Sequence, residues 1–123
     1  MAKNEAQTCI TLEAGQDLSA KQFRFVELAA DGQVDAVASA GGNAIGVLTN
    51  DPSAAGRAAT VCIAGIAKVV AGGTVAAGAM VQADAAGDAI TAASGDYVLG
   101  RAVTGGADGE VIEILLQSNH LNA

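Results

Sequence analysis

The sequence predicts an all-β fold, a small antiparallel β-barrel or sandwich with little helix. Three observations lead there. Apolar and polar residues alternate with period 2 in many short runs, and no long stretch repeats every 3.6 residues. Turn chemistry built from Gly, Asp and Asn separates those runs at short intervals. The 16 glycines also interrupt each helix that the 29 alanines would otherwise favour.

Taken in order, residues 1–13 are polar and extended-permissive, with no Gly or Pro, and read as an extended N-terminal arm containing a strand candidate at Thr8–Leu12. Asp17–Lys21 is the one helical hint, where Asp17 would N-cap a single turn. Strand candidates Gln22–Leu28 and Gln33–Ala38 flank Asp31-Gly32, and Ala44–Thr49 follows Gly41-Gly42-Asn43. Ala58–Ile63 and Ile66–Val70 read as a hairpin. Ala79–Ala83 and Ala89–Ala92 flank Ala86-Gly87-Asp88, and Tyr97–Thr104 begins at Gly95-Asp96. The clearest strand is Glu110–Leu116, with Ile112, Ile114 and Leu116 on one face and Val111, Glu113 and Leu115 on the other. The polar segment from Gln117 is expected to be exposed. These signals give one domain over residues 14–117, preceded by the arm and followed by a tail at 118–123.

Two series in this pattern echo each other, either as an internal repeat or as the echo that any Ala/Gly-rich β sequence can produce. Ala14-Gly15, Leu18, Ala20, Phe23, Val26, Gly32, Ser39 and Ile45-Gly46 form one series. Ala71-Gly72, Val75, Ala77, Met80, Val81, Gly87, Ser94 and Leu99-Gly100 form another. Each copy would be a turn, a strand, a tight hairpin, a second strand and a glycine-containing apolar strand. Two copies, joined by Ala58–Val70 and closed by Glu110–Leu116, would make a barrel without free edges.

Composition narrows the function. Three aromatics (Phe23, Phe25, Tyr97) and no Trp leave a core of small side chains, so neighbours of its own kind are expected to supply part of the burial. A net charge of −7 with no basic cluster disfavours nucleic acid. The start lacks the apolar stretch of a secretory signal, and Ile63–Val70, broken by Gly65 and Lys68, is too short to span a bilayer. The expectation is a soluble protein with no membrane partner. Cys9 and Cys62 read as two small buried thiols in a reducing compartment.

Enzymatic templates lack their parts. His120, the sole histidine, lies three residues from the C-terminus, where no orienting partner is expected. No Gly-x-Ser-x-Gly elbow occurs. Two cysteines and one histidine match no zinc spacing, and Asp84-Ala-Ala-Gly-Asp88 lacks the oxygen donors of a calcium loop. Gly41-Gly42-Asn43-Ala44-Ile45-Gly46 has no phosphate-loop lysine. Glu110 and Glu113 differ in strand parity and cannot act as a carboxylate pair. The prediction is a non-enzyme without cofactor or metal.

Six stretches carry a resemblance to a known family. They are Asp17-Leu-Ser-Ala-Lys-Gln-Phe23, Ala44-Ile-Gly-Val-Leu48, Ala59-Thr-Val-Cys-Ile-Ala-Gly65, Ala71-Gly-Gly-Thr-Val-Ala-Ala-Gly-Ala-Met-Val81, Gly95-Asp-Tyr-Val-Leu-Gly-Arg-Ala102 and Gly109-Glu-Val-Ile-Glu-Ile-Leu-Leu116. In order and spacing the chain resembles the capsid cement, or head decoration, proteins of tailed bacteriophages. The resemblance implies a β-tulip-like barrel on the outer surface of an icosahedral head, made in the host bacterial cytoplasm. It further implies a homotrimer at three-fold and quasi-three-fold positions that clamps neighbouring major capsid protein subunits after shell expansion. On that reading Gln7, Thr8 and Ile10 would pair with capsid backbone by strand addition. Phe23, Phe25 and Leu121 would lie at subunit contacts. The competing readings are a tail or baseplate subunit, a receptor- or carbohydrate-binding β module, and a small hydrolase.

Overall fold

A computed structural model describes residues 5–122. Among them lie nine strands and no helix: β1 (Glu5–Ala14), β2 (Phe25–Leu28), β3 (Gln33–Ala36), β4 (Gly46–Leu48), β5 (Ala58–Val70), β6 (Met80–Ala83), β7 (Ala89–Thr91), β8 (Tyr97–Ala102) and β9 (Val111–Leu121). The all-β reading holds. Their pairing forms two circuits that share β5. In the first, β1 runs antiparallel to β5 and, at Glu13 and Ala14, parallel to β3; β3 pairs with β2, β2 with β4, and β4 with β5. In the second, β5 pairs with β9, β9 with β8, β8 with β6 and β6 with β7. Ala71, directly after β5, closes it by a parallel bridge to Ala89 of β7.

The sequence repeat is thus a repeat of hydrogen bonds, with one correction: Met80 corresponds to Phe25 and not to Phe23. The Ala14 amide donates to Arg57 O and the Ala71 amide to Glu110 O; Leu18 donates to Pro52 O and Val75 to Gly106 O. Gly15 donates to Val34 O as Gly72 donates to Ala89 O. Val26 faces Gly46 across β2 and β4, and Val81 faces Gly100 across β6 and β8. Both glycines are required by space. A Cβ on Gly46 would strike the Cys62 carbonyl oxygen, and one on Gly100 would strike that of Leu115.

Each circuit encloses apolar side chains. Leu18, Val26, Val34, Leu48, Ala59 and Val61 fill the first, with Ile10 and Leu12 leaning on them. Val69, Val75, Val81, Ala102, Ile112 and Ile114 belong to the second cluster. That cluster also takes in Phe25, Val47 and Cys62, the strand neighbours of Val26, Leu48 and Val61 that point the opposite way. The outer face of the first circuit is thus buried under the second. Backbone bonds Phe25 N→Gly87 O (2.8 Å) and Gly41 N→Ala83 O (2.9 Å) lock the halves, as does an ion pair, Arg24 Nε to Asp88 Oδ1 at 2.7 Å.

Four expectations are corrected. Ala58–Val70 is one 13-residue strand and not a hairpin. Gly65, at φ +89°, marks the point where β5 changes partners, from β4 to β9. Asp17–Lys21 forms a turn in which the Asp17 carboxylate accepts the Ser19 amide (2.9 Å), so Asp17 caps no helix. The tail expected from residue 118 is, through Leu121, the end of β9, held by Tyr97 and Val98 of β8. Residues 5–13 do not project as an arm. They are a strand of the first circuit, because Ile10 and Leu12 pack their half-buried side chains against its interior. Residues 1–4 of the arm and residue 123 of the tail lie outside the described residues.

Candidate functional site

The arm residues reach back to their own chain. Gln7 Nε2 donates to Ile66 O at 3.0 Å, and Ile10 lies opposite Val61 against the interior. Thr8, opposite Ala64, keeps an exposed side chain. The open feature of β1 is its backbone. In an antiparallel ladder alternate residues turn their amides and carbonyls to opposite edges. Ala14 donates to β5-side Arg57 O while Glu13 donates away from β5, to Gly32 O. By that alternation Thr11 and Cys9 also point away from β5. Among the described residues β1 pairs on that edge only at Glu13 and Ala14. The segment from Cys9 to Thr11 is an unpaired strand edge.

A second surface follows from the duplication. Phe25 faces Val47, Val47 faces Cys62 and Cys62 faces Cys9, one cross-strand row on the outside of the first circuit. The equivalent row of the second circuit is Met80, Arg101, Leu115 and Ile66. From Phe25 to Cys62 the first row is covered by the second half of the chain, leaving Phe25 only 1% exposed. The second row lies open, with Leu115 38% exposed and Arg101 at the surface. Val103 and Val111, also exposed, flank it. Lys68 and Glu113 sit opposite each other within this face, and Glu113, though acidic, is 5% exposed. The Lys68 ammonium stands 5.5 Å from the Phe23 ring centroid, a cation–π contact that ties Phe23 to the same face.

Between the two circuits, where β5 leaves β9 for β4, a groove of about 500 Å³ opens, floored by Ile45, Ile63 and Leu116. Asn119 Nδ2 bridges its mouth to Ala44 O at 2.6 Å.

Of the residues expected at subunit contacts, Phe25 is overturned, because the chain's own second half covers it. Phe23 is half-buried beside Lys68, and Leu121, opposite Tyr97, is 56% exposed. The open row went unread in the sequence, although the repeat itself carried the signal. Cys9 also departs from expectation: among the described residues the outer end of its row is uncovered and Cys9 is exposed, while Cys62 is buried. His120 lies opposite Val98 on β9, and among the described residues no cluster of three or more metal-ligating side chains exists.

A family model for phage cement proteins matches residues 3–117. The chain belongs to the phage cement protein family. This cement protein is therefore a bacteriophage structural protein of the virion capsid. No curated protein matches it. Among solved structures its fold is similar to the N base of head fiber gp8.5 of bacteriophage phi29. The TM-score is 0.69 at 18% identity, over 90% of this chain and 94% of that one. The likeness extends to the fold. The cement protein's duplicated circuits place its open row and open strand edge on a scaffold stiffened by cross-strand pairing.

Proposed function

We propose that the protein decorates the outer surface of an icosahedral phage head and stabilises the expanded shell by cementing neighbouring major capsid protein subunits. It does so as a homotrimer at three-fold and quasi-three-fold positions. The match to the cement family over residues 3–117 carries this reading. The open row supports self-association: Met80 and Leu115 occupy the positions that the first circuit buries at Phe25 and Cys62, so a second copy supplies cover that the described residues of the chain do not. Phe23 and Leu121 belong to these subunit contacts. The unpaired edge of β1 supports capsid attachment by strand addition at the segment that holds Gln7, Thr8 and Ile10, where Gln7 and Ile10 fix the strand to its own fold and Thr8 is exposed to a capsid partner. The net charge of −7 suits a face turned away from packaged DNA.

The mechanism is mass action without catalysis. A protein that binds only the expanded lattice stabilises it by ~2.7 kcal/mol per site at about 100-fold excess over Kd. Repeated over the lattice, this opposes internal pressure. Mixing purified protein with expanded and unexpanded heads and sedimenting them tests the reading. Saturable binding to expanded heads alone is expected, and equal or absent binding to both overturns it.

A further inference from the structure

The chain's only two cysteines face each other across β1 and β5, at Cys9 and Cys62. The backbone shows what kind of pair this is. Thr60, two residues before Cys62, turns its amide to Asn50 Oδ1 and its carbonyl to the Thr49 amide, on the β4 side. Cys62 shares that orientation, and Val47 of β4 lies opposite it there. Neither cysteine therefore exchanges backbone bonds with the other. In such non-hydrogen-bonded antiparallel pairs the Cα atoms lie about 4.5 Å apart and the side chains approach most closely. That separation falls inside the roughly 4.4–6.8 Å range that a disulfide accepts.

Both thiols are free, and their exposures differ in a useful way. Cys9 is at the surface, its Sγ donating to Gln7 Oε1 at 3.4 Å. Cys62 is buried behind it, in hydrogen-bonding contact with Cys9. In the second circuit the equivalent pair is Ile66 and Leu115, which pack without chemistry.

We infer that Cys9 and Cys62 are a modification site, a reversible intramolecular disulfide that staples β1 to β5 when the protein meets a small-molecule disulfide such as oxidised glutathione. The Cys9 thiolate attacks one sulfur of the small disulfide, forming a mixed disulfide and expelling one small thiolate, which takes up a proton. Cys62 then gives up its proton and attacks the Cys9 sulfur, expelling the second small thiol. Two cysteine thiols are oxidised to one disulfide, and one small disulfide is reduced to two thiols. Burial of Cys62 makes the second step the slow one. The staple fastens the strand whose far edge stays open, so it stiffens the edge without occupying it. The inference does not depend on capsid binding.

The test is oxidation of the full chain with oxidised glutathione in mildly alkaline buffer, followed by non-reducing tryptic mapping. The expected product is cross-linked within one chain, with Asn4–Lys21 joined to Ala58–Lys68 and no covalent bond between chains. Backbone amides of β1 should then exchange with solvent about tenfold slower, or more, than in the reduced protein. In Cys9→Ser, whose fold is unperturbed at this exposed position, Cys62 should stay unreacted. A product that stops at glutathione on Cys9, or one linked only between chains, overturns the inference. So does equally fast modification of Cys62 in Cys9→Ser.

Discussion

Phe23 is the one non-glycine residue with positive φ among those described, at +64°. Its amide donates to Leu48 O as the Gly78 amide donates to Ala102 O, so Phe23 occupies the position that Gly78 (φ +85°) fills in the second circuit. A left-handed conformation costs an L-residue roughly 1–2 kcal/mol, which the ring offsets by its contact with Lys68. Phe23→Ala keeps the strain and loses the ring, whereas Phe23→Gly loses both. Urea unfolding should therefore rank Phe23→Gly above Phe23→Ala by about 1 kcal/mol. The reverse order contradicts this account of the site. Cys62 gives a pH test. Burial, reinforced by a hydrogen bond and charge interaction with Cys9, pushes its thiol up from 9.0 to about 12. A raised value means the folded state holds the proton longer. This stabilisation is complete below about pH 9 and is lost as pH climbs toward about 12. Cys62→Ala should lack that component, so its stability should fall less steeply over the same window.

At the scale of elements, the duplicated hydrogen bonding makes matched predictions. Gly46→Ala and Gly100→Ala each drive a Cβ into a facing carbonyl, at Cys62 and Leu115 respectively. Both should cost about 1–3 kcal/mol in denaturant unfolding, and an unchanged midpoint for either removes the steric argument. On β1, Thr11→Pro removes an amide that points away from β5, a position edge strands tolerate. The variant should keep its fold by circular dichroism and lose most of its affinity for expanded heads; wild-type affinity excludes strand addition at this edge. Much of this architecture was legible. Every strand candidate fell on an observed strand, since alternation and Gly/Asp turns are local signals. Pairing is not local. Gly65 looked like a hairpin turn because nothing in Ala58–Val70 says that its halves pair with β4 and β9 in succession. Residues 5–13 looked like an arm because polar Gln7 and Thr8 hide the alternation of Ile10 and Leu12, which point inward. Phe25 was legible as apolar, but whether another subunit or the chain's own second half covers it depends on how the circuits stack.

The whole molecule is a duplication that stops one step short. The second circuit covers the outer row of the first from Phe25 to Cys62, whereas among the described residues its own equivalent row, Met80, Arg101, Leu115 and Ile66, stays half or fully exposed. On the proposed function the missing burial comes from assembly, which suits a core built largely from Ala and Val. Leu115→Lys places a charge at the centre of that row, exposed in the single chain and so harmless to its fold. Light scattering should find the variant monomeric under conditions where the wild type self-associates. The most direct measurement is electron cryomicroscopy of expanded heads carrying the protein. Density should show clustered copies on the outer surface at three-fold positions, contacting major capsid subunits through β1 and one another through the open row. Expanded heads bare at those positions, or copies bound as single chains with that row facing solvent, would contradict it.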